Sequence, residues 1–182
     1  MNLDHIFLEV GLSDENASLA SVTSMAAVRT DRKGKVLAAY SEEVSIRGLE
    51  DAPLEKLYQN LAGSILGPYS SDYVVISQHS NIYKGLLQKN HFRGRPWLDI
   101  AQLAWPLGFC DMISNRDLDT LCKHFEVKAK SEEEGTISGN CEALVRVYWA
   151  MMKRYRAALI GEEAIRDFGG EALAGVRKFI GI

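Results

Sequence analysis

Hydrophobic residues in the first quarter of the chain form three runs that are separated by polar turns. The first run, 5–12, is apolar apart from His5 and Glu9, as expected of a buried strand whose end opens onto a site. Two further apolar stretches, 18–30 and 36–46, are joined by a short charged turn that contains a glycine. This alternation predicts a three-stranded antiparallel meander.

The rest of the chain alternates between helical and extended patterns. Apolar residues at spacings of three and four follow Pro53 and predict an amphipathic helix. The continuous apolar run at 73–77 predicts a strand that is covered on both faces. The remaining predicted elements are a helix at 80–90, a strand at 97–100 that leads into a helix ending near Pro106, a helix capped by Ser114 or Asn115, a long helix at 140–159 and a final helical stretch at 162–180.

Composition indicates one ordinary globular domain. The 182 residues are 47% hydrophobic and 25% charged, which is sufficient for one sizeable core. We therefore assign 1–182 to a single α/β domain, with 160–182 as a C-terminal helical extension. The net charge of -3 provides no overall attraction to nucleic acid or membrane, so contact with nucleic acid would need a local basic patch.

Three cysteines are odd in number and widely spaced, which indicates reduced thiols rather than a disulfide framework or a zinc site. We find no secretory signal pattern and no apolar window of membrane-spanning length. The sequence thus predicts a cytoplasmic protein without a membrane partner, and it does not indicate the oligomeric state.

One local basic patch is a candidate for binding single-stranded nucleic acid. The stretch 83–97 contains no acidic residue, and aromatic residues alternate with its cations. Such a surface can pair with phosphates and stack on bases. A basic connecting loop is the competing interpretation. The candidate residues are Lys84, Lys89, Arg93 and Arg95.

Several phrases of the sequence, spread over about 5–155, resemble the DnaQ-like family of DEDD 3′–5′ exonucleases. The similar phrases lie at 7–11, 25–28, 34–37, 97–104, 118–125 and 140–148. The resemblance implies an RNase H-like fold, which is an α/β mixed sheet of a three-stranded antiparallel meander plus parallel strands, flanked by helices. It also implies hydrolysis of phosphodiesters by two metal ions, which needs a cluster of about four carboxylates.

The family positions retain few of these carboxylates. Two acids one residue apart should end the first strand, and they correspond to Glu9 and Gly11. The second motif should lie near 82–84, where either Ile82 or Lys84 holds the position. No Asp or Glu occurs between 73 and 98, so that acid is absent in every alignment. A lysine there would repel a cation.

The last motif should have a histidine five residues before an aspartate. In one register Gly135 and Asn140 hold these positions, and in a competing register Cys141 and Arg146 hold them. Neither register contains the motif, because no histidine follows His124. The remnant cleft positions are therefore Glu9, Gly11, Lys84 and Asn140, and no catalytic residue is assigned.

These observations lead to two main hypotheses, and a third is that the resemblance is only architectural and the protein does unrelated chemistry. The first is a catalytically degenerate exonuclease-fold protein that binds a protein partner or a single-stranded nucleic acid without cleaving it, and it requires no cofactor. The alternative is an active 3′–5′ exonuclease on DNA or RNA, dependent on Mg²⁺ or Mn²⁺, with a non-standard metal site built on Glu9. Other acids outside the family positions are Asp14, Glu15, Asp99 and Asp119.

Overall fold

A computed structural model describes residues 4–13, 22–43, 51–66, 72–80, 83–84, 95–104, 117–127 and 136–160. The strands are β1 (Asp4–Leu12), β2 (Val22–Thr30), β3 (Val36–Glu43), β4 (Tyr73–Ser77) and β5 (Trp97–Asp99). The helices are α1 (Asp51–Leu66), α2 (Ile100–Ala104), α3 (Leu118–His124) and α4 (Ile137–Ile160). The predicted final helix at 162–180 lies outside the described residues, as does most of the predicted helix at 80–90.

The five strands form one mixed sheet in the order β3-β2-β1-β4-β5. Strands β1, β2 and β3 pair antiparallel, whereas β4 runs parallel to β1 and β5 runs parallel to β4. The predicted meander and the predicted RNase H-like fold class are both confirmed.

Strand β1 is central because both of its faces are buried. Ile6, Leu8 and Val10 pack with α1 on one side of the sheet. Phe7 packs with α2, α3 and α4 on the other side. Alternate residues of a strand point to opposite faces, so a nearly continuous apolar run is what a strand between two helical layers requires.

Two helix starts differ from the prediction. We expected Ser114 or Asn115 to cap α3, but the cap is Asp117, whose carboxylate accepts a hydrogen bond of 2.7 Å from the Thr120 N–H. Aspartate caps a helix as well as asparagine or serine does, and sequence preference alone does not separate them. Helix α4 begins at Ile137 rather than at Asn140, because the Thr136 hydroxyl accepts from the Gly139 N–H at 3.0 Å.

Arg29 of β2 ties the sheet to the end of α1. Its guanidinium donates to Asp4 Oδ2 at 2.9 Å through Nε, and to the carbonyl oxygens of Leu66 and Ile65 at 2.8 and 3.2 Å through Nη1. Carbonyls at the end of a helix lack partners within the helix. This one side chain therefore joins β1, β2 and α1. Within the described residues, no helix has the length and apolar character needed to cross a membrane.

Candidate functional site

Glu9 is the sixth of the nine residues of β1 and is almost completely buried, with 5% of its surface exposed. It is two residues beyond Phe7 and so faces the same side of the sheet. The adjacent parallel strands β4 and β5 end at this same edge. Ligands of open α/β sheets bind beyond the carboxyl ends of parallel strands, so this edge is where a site is expected.

The Tyr83 hydroxyl donates to this carboxylate. Its oxygen lies 3.3 Å from Glu9 Oε2 and 3.2 Å from the Val10 carbonyl oxygen. The other carboxylate oxygen, Oε1, forms no hydrogen bond of normal geometry with the described residues. Burial, together with the nearby charge of Asp99, raises the pKa of Glu9 to about 7, against the opposing effects of the Tyr83 hydroxyl and the Gln78 N–H.

Tyr83 keeps its proton in this environment. Its side chain is buried, and burial and the charge of Glu9 raise the pKa of Tyr83 above its usual range. A protonated phenol can donate to a carboxylate, but it cannot serve as an anionic ligand.

Gly11 leaves no open space where a second acid would be needed. It pairs with Ser24 across the β1–β2 ladder, and side chains of directly opposite residues share one face. A Cβ atom built on Gly11 would overlap the Ser24 hydroxyl oxygen and would lie 3.1 Å from Thr23 Oγ1. Ser24 therefore occupies the volume beside Gly11.

Asp99 is a second buried carboxylate at this edge, and both of its oxygens accept hydrogen bonds. Its Oδ2 accepts from the N–H and the hydroxyl of Ser80 at 3.1 and 3.2 Å. Its Oδ1 accepts from the N–H groups of Ala101 and Gln102 at 2.9 and 3.4 Å. Asp99 thereby caps α2 and holds the segment that follows β4, and its charge acts on both Glu9 and Tyr83.

Of the two candidates for the second motif, Ile82 and Lys84, the structure describes Lys84. Lys84 is exposed, and the residue of that segment that reaches Glu9 is its neighbour Tyr83. Ile82 lies outside the described residues. Tyr83 was not predicted as a partner of Glu9, because the family motif calls for an acid in this segment and a neutral phenol does not match it.

Asn140 and Cys141, one residue from each register of the last motif, lie near the start of α4. Asn140 is exposed, and its N–H donates to the Thr136 carbonyl at 2.9 Å. Cys141 is buried, with its sulfur 3.6 Å from the Phe7 carbonyl oxygen. Burial and the nearby charge of Glu9 raise the pKa of the Cys141 thiol well above its usual range. The N-terminal part of α4 thus lies against β1 close to Glu9.

The structure describes two of the four candidate nucleic-acid-binding residues, Lys84 and Arg95. Lys84 is exposed, whereas Arg95 forms an ion pair of 3.5 Å with Asp72 and lies over the Tyr73 ring at 4.6 Å from its centroid. Lys89 and Arg93 lie outside the described residues. The guanidinium of Arg95 therefore has partners within its own chain.

The donor set that the described residues place around Glu9 does not fit a two-metal centre. Such a centre needs several anionic oxygens, whereas Glu9 faces a protonated phenol, Gly11 supplies no ligand and Asp99 already accepts four hydrogen bonds. Among the residues that the structure describes, no group of three or more His, Cys, Asp or Glu side chains is arranged to hold a metal ion.

Neither a protein-family model nor a curated protein matches this sequence. Solved structures do match in fold. The nuclease domain of 3'hExo, a DEDDh family member bound to rAMP, superposes with a TM-score of 0.61 at 11% identity, over 84% of this chain and 93% of that one.

Exonuclease I of E. coli in complex with single-stranded DNA matches with a TM-score of 0.59 at 10% identity over 85% of this chain. An exonuclease I complex with SSB-Ct matches with a TM-score of 0.58 at 11% identity over 87%. This chain spans only 41% and 43% of the length of those two exonuclease I chains. The chain therefore has the RNase H-like fold of the DnaQ-like exonucleases.

Proposed function

We propose that this chain is a catalytically degenerate exonuclease-fold protein that acts by binding a protein partner rather than by cleaving phosphodiesters. The observation that carries the proposal is the hydrogen bond from the Tyr83 hydroxyl to Glu9.

This bond supports loss of cleavage because of what it does to the carboxylate. A catalytic metal ligand must be ionised and must direct its lone pairs at the cation. Here one oxygen of Glu9 accepts from a protonated phenol, and burial disfavours the negative charge. A divalent cation at Glu9 would meet a protonated phenol on Oε2, and among the described residues it would gain no second carboxylate that is not already occupied by hydrogen bonds.

The surroundings of Gly11 support the same conclusion. Two acids one residue apart on a strand point to the same side and can share a metal. Gly11 lacks a side chain, and the adjacent volume belongs to Ser24. Restoring the acid would therefore require a change at Ser24 as well as at Gly11.

A protein partner is better supported than a nucleic-acid strand. The net charge is -3, so the whole molecule does not attract a polyanion. Of the described basic candidates, Arg95 is engaged by Asp72 and Tyr73, which leaves Lys84 as the exposed cation. Exonuclease I, which has the same fold, forms complexes both with single-stranded DNA and with SSB-Ct.

Cleavage is tested with the purified chain, Mg²⁺ or Mn²⁺, and labelled single-stranded DNA and RNA. We expect substrates of unchanged length for the wild type and for Glu9→Gln alike. Shortening by the wild type that Glu9→Gln abolishes would overturn the proposal in favour of the metal-dependent exonuclease. Shortening that survives Glu9→Gln and co-purifies with the chain would also contradict the proposal, whereas shortening that separates from the chain on further purification identifies a contaminating nuclease.

The class of partner is tested by titrating labelled single strands at several salt concentrations. We expect weak binding that does not change when Lys84, Lys89, Arg93 and Arg95 are replaced by glutamine. Tight binding that weakens steeply with salt and is lost in the quadruple variant would assign a nucleic-acid partner instead.

A further inference from the structure

One face of β3 is exposed beside α4. On one side of the sheet α1 packs on β2 and β3, whereas on the other side α4 packs on β1 and β2. Ala39 and Ser41 of β3 pair with Val28 and Ala26 of β2, which belong to the core beneath α4. Directly opposite residues share a face, so Ala39 and Ser41 point to the α4 side. Both are exposed, and among the described residues the helical layer on this side therefore stops short of β3.

The exposed face adjoins an apolar flank of α4. Trp149 lies toward the β2–β3 turn, because a Cβ atom built on Gly34 would be 3.1 Å from its indole ring. Val145 lies one turn earlier on the same flank, and both side chains are only partly buried. At the start of β3, Val36 and Leu37 are 54% and 49% exposed, although large aliphatic residues are normally buried. We call this surface the β3 groove, and its residues are Val36, Leu37, Ala39, Val145 and Trp149.

Helix α4 runs toward the end of the sheet at which β3 begins. Cys141, near the start of the helix, lies close to Glu9. Trp149, about two turns later, has its ring 5.3 Å from the His5 ring. The row of paired residues that contains His5 also contains the first residue of β3. The helix continues in this direction to its last residue, so 161–182 begins at this end of the groove.

The sequence of 161–182 has an apolar stripe of helical spacing. Apolar residues recur at intervals of three and four, as they do on one face of a helix, at Ile165, Phe168, Ala172, Val176 and Phe179. Gly169 and Gly170 lie within this stripe and lower its helix propensity. A helix of weak propensity is stabilised by packing its apolar face on another surface, so this stripe needs a partner.

The length of this segment matches the length of the groove. A helix over 162–178 would be roughly 25 Å long at about 1.5 Å per residue. The eight residues of β3 span roughly 26 Å at about 3.3 Å per residue. Gly161 directly follows α4, and a glycine at this position permits the chain to reverse direction.

The charges of the segment match those along β3 in one direction. The β2–β3 turn has three exposed cations, Arg32, Lys33 and Lys35. Its Asp31 carboxylate accepts hydrogen bonds within the turn. At the other end of β3, Glu43 is exposed and pairs with Ser24, which places it on the α4 side. The segment begins with the acids Glu162 and Glu163, and the bases Arg177 and Lys178 lie near its end. Running in the same direction as β3, it brings opposite charges together at both ends, whereas the reverse direction brings like charges together.

We propose that 161–182 folds back from the end of α4 and packs as a helix along the β3 groove, in the direction of β3. The occupant of the groove is thus the segment that follows α4 in the same chain. It would form an antiparallel helix pair with α4 and extend the helical layer over β3. This inference does not rest on the proposed function, because Glu9 lies on β1 and β2 separates β1 from β3.

The test is hydrogen–deuterium exchange of the full chain at neutral pH, read by mass spectrometry. Phe168→Asp places a charge in the apolar stripe, and Ala39→Asp places one in the groove, where burial would be unfavourable. We expect the amides of 162–180 to exchange slowly in the wild type and about tenfold faster or more in each variant. Phe168→Asp should also speed exchange in 36–43, because a contact stabilises both of its partners.

The control is Ser64→Asp, which adds the same charge at an exposed position of α1, on the opposite side of the sheet. It should leave the exchange of 162–180 unchanged. Circular dichroism melts of each variant verify that the rest of the chain is folded, so that faster exchange reports release of the segment.

A charge exchange tests the direction of the segment. Glu43→Lys brings a base beside the basic end of the segment and should speed exchange of 173–180 by about threefold. Adding Lys178→Glu to this variant restores an opposite pair and should slow the exchange again. A double variant that exchanges as fast as Glu43→Lys alone would contradict the proposed direction.

Three results would overturn the inference. The first is a wild type in which 162–180 exchanges as fast as an unstructured peptide. The second is protection of 162–180 that Ala39→Asp does not reduce, because the segment would then pack elsewhere. The third is protection that rises when the protein concentration increases from about 1 µM to about 50 µM, because a second copy would then occupy the groove.

Discussion

Replacing Glu9 by glutamine tests the electrostatics of the site directly. Glutamine has the shape of glutamic acid and can still accept from the Tyr83 hydroxyl, but it does not ionise. Burial raises the pKa of Glu9 from the ordinary 4.5 to about 7. The folded protein therefore holds this proton more tightly than the unfolded chain does.

The sign of the pH dependence follows from linkage. Below 4.5 the carboxyl is protonated in both states and its ionisation has no effect on stability. Between 4.5 and 7 the unfolded chain ionises while the folded protein resists, so the wild type loses stability as pH rises, and the loss is complete above 7. The full effect is about 3.5 kcal/mol, at about 1.4 kcal/mol per pKa unit.

The assay is urea denaturation of the wild type and Glu9→Gln in EDTA, at several values from about pH 5 to about pH 8.5. Groups common to both proteins cancel in the difference. The variant should gain about 2.5 kcal/mol relative to the wild type across this range. Glu126→Gln, which changes an exposed acid, should show no such gain.

Two outcomes would refute the reasoning. A difference between the two proteins that does not change with pH would mean that Glu9 titrates in the folded protein as it does in the unfolded chain. A wild type that gains stability over the variant as pH rises would mean that the fold favours the ionised carboxylate. Repeating the series with Mn²⁺ in place of EDTA adds a check: stabilisation of the wild type alone would contradict the poor fit to a metal.

Three further predictions follow from the contacts. Tyr83→Phe removes the donor to the Glu9 carboxylate and should lower the free energy of unfolding by about 1–2 kcal/mol in urea at neutral pH; an unchanged value would mean that the hydrogen bond contributes nothing. Tyr83→Asp brings a second carboxylate to Glu9 and should increase the affinity for Mn²⁺ in calorimetry by about tenfold or more over the wild type, and equal affinities would show that Tyr83 does not oppose the cation. Arg29→Lys replaces the guanidinium by a single ammonium group, which cannot bond both Asp4 and the end of α1. It should lower the free energy of unfolding by about 1–2 kcal/mol. A loss no larger than that of Lys153→Gln, on the exposed face of α4, would contradict this role.

Local pattern was sufficient for most of the fold. The apolar runs that became β1 and β4 are recognisable because a strand buried on both faces must be apolar at nearly every position. Helix starts were harder to locate. Asp117 is as good a cap as Ser114 or Asn115, and Thr136 caps α4 although threonine is a slightly weaker cap than asparagine, so the choice among them depends on where the helix packs.

For the site, the sequence determined which residues are present, and the structure determined what surrounds them. The sequence determined that the acid Glu9 is followed two residues later by Gly11, which has no side chain, and that 73–98 contains no acid. These are statements about residue identity, so they need no coordinates. They are the basis for the expectation that this chain lacks part of the family's set of metal-binding carboxylates.

Only the tertiary structure decided what surrounds Glu9. Tyr83 donates to it from 74 residues away, and Asp99 approaches it from the end of β5. Ser24 fills the volume beside Gly11 because the β1–β2 register makes them directly opposite. Such neighbours are set by strand order and register, which are properties of the whole sheet, and the periodicity of a single segment does not contain them.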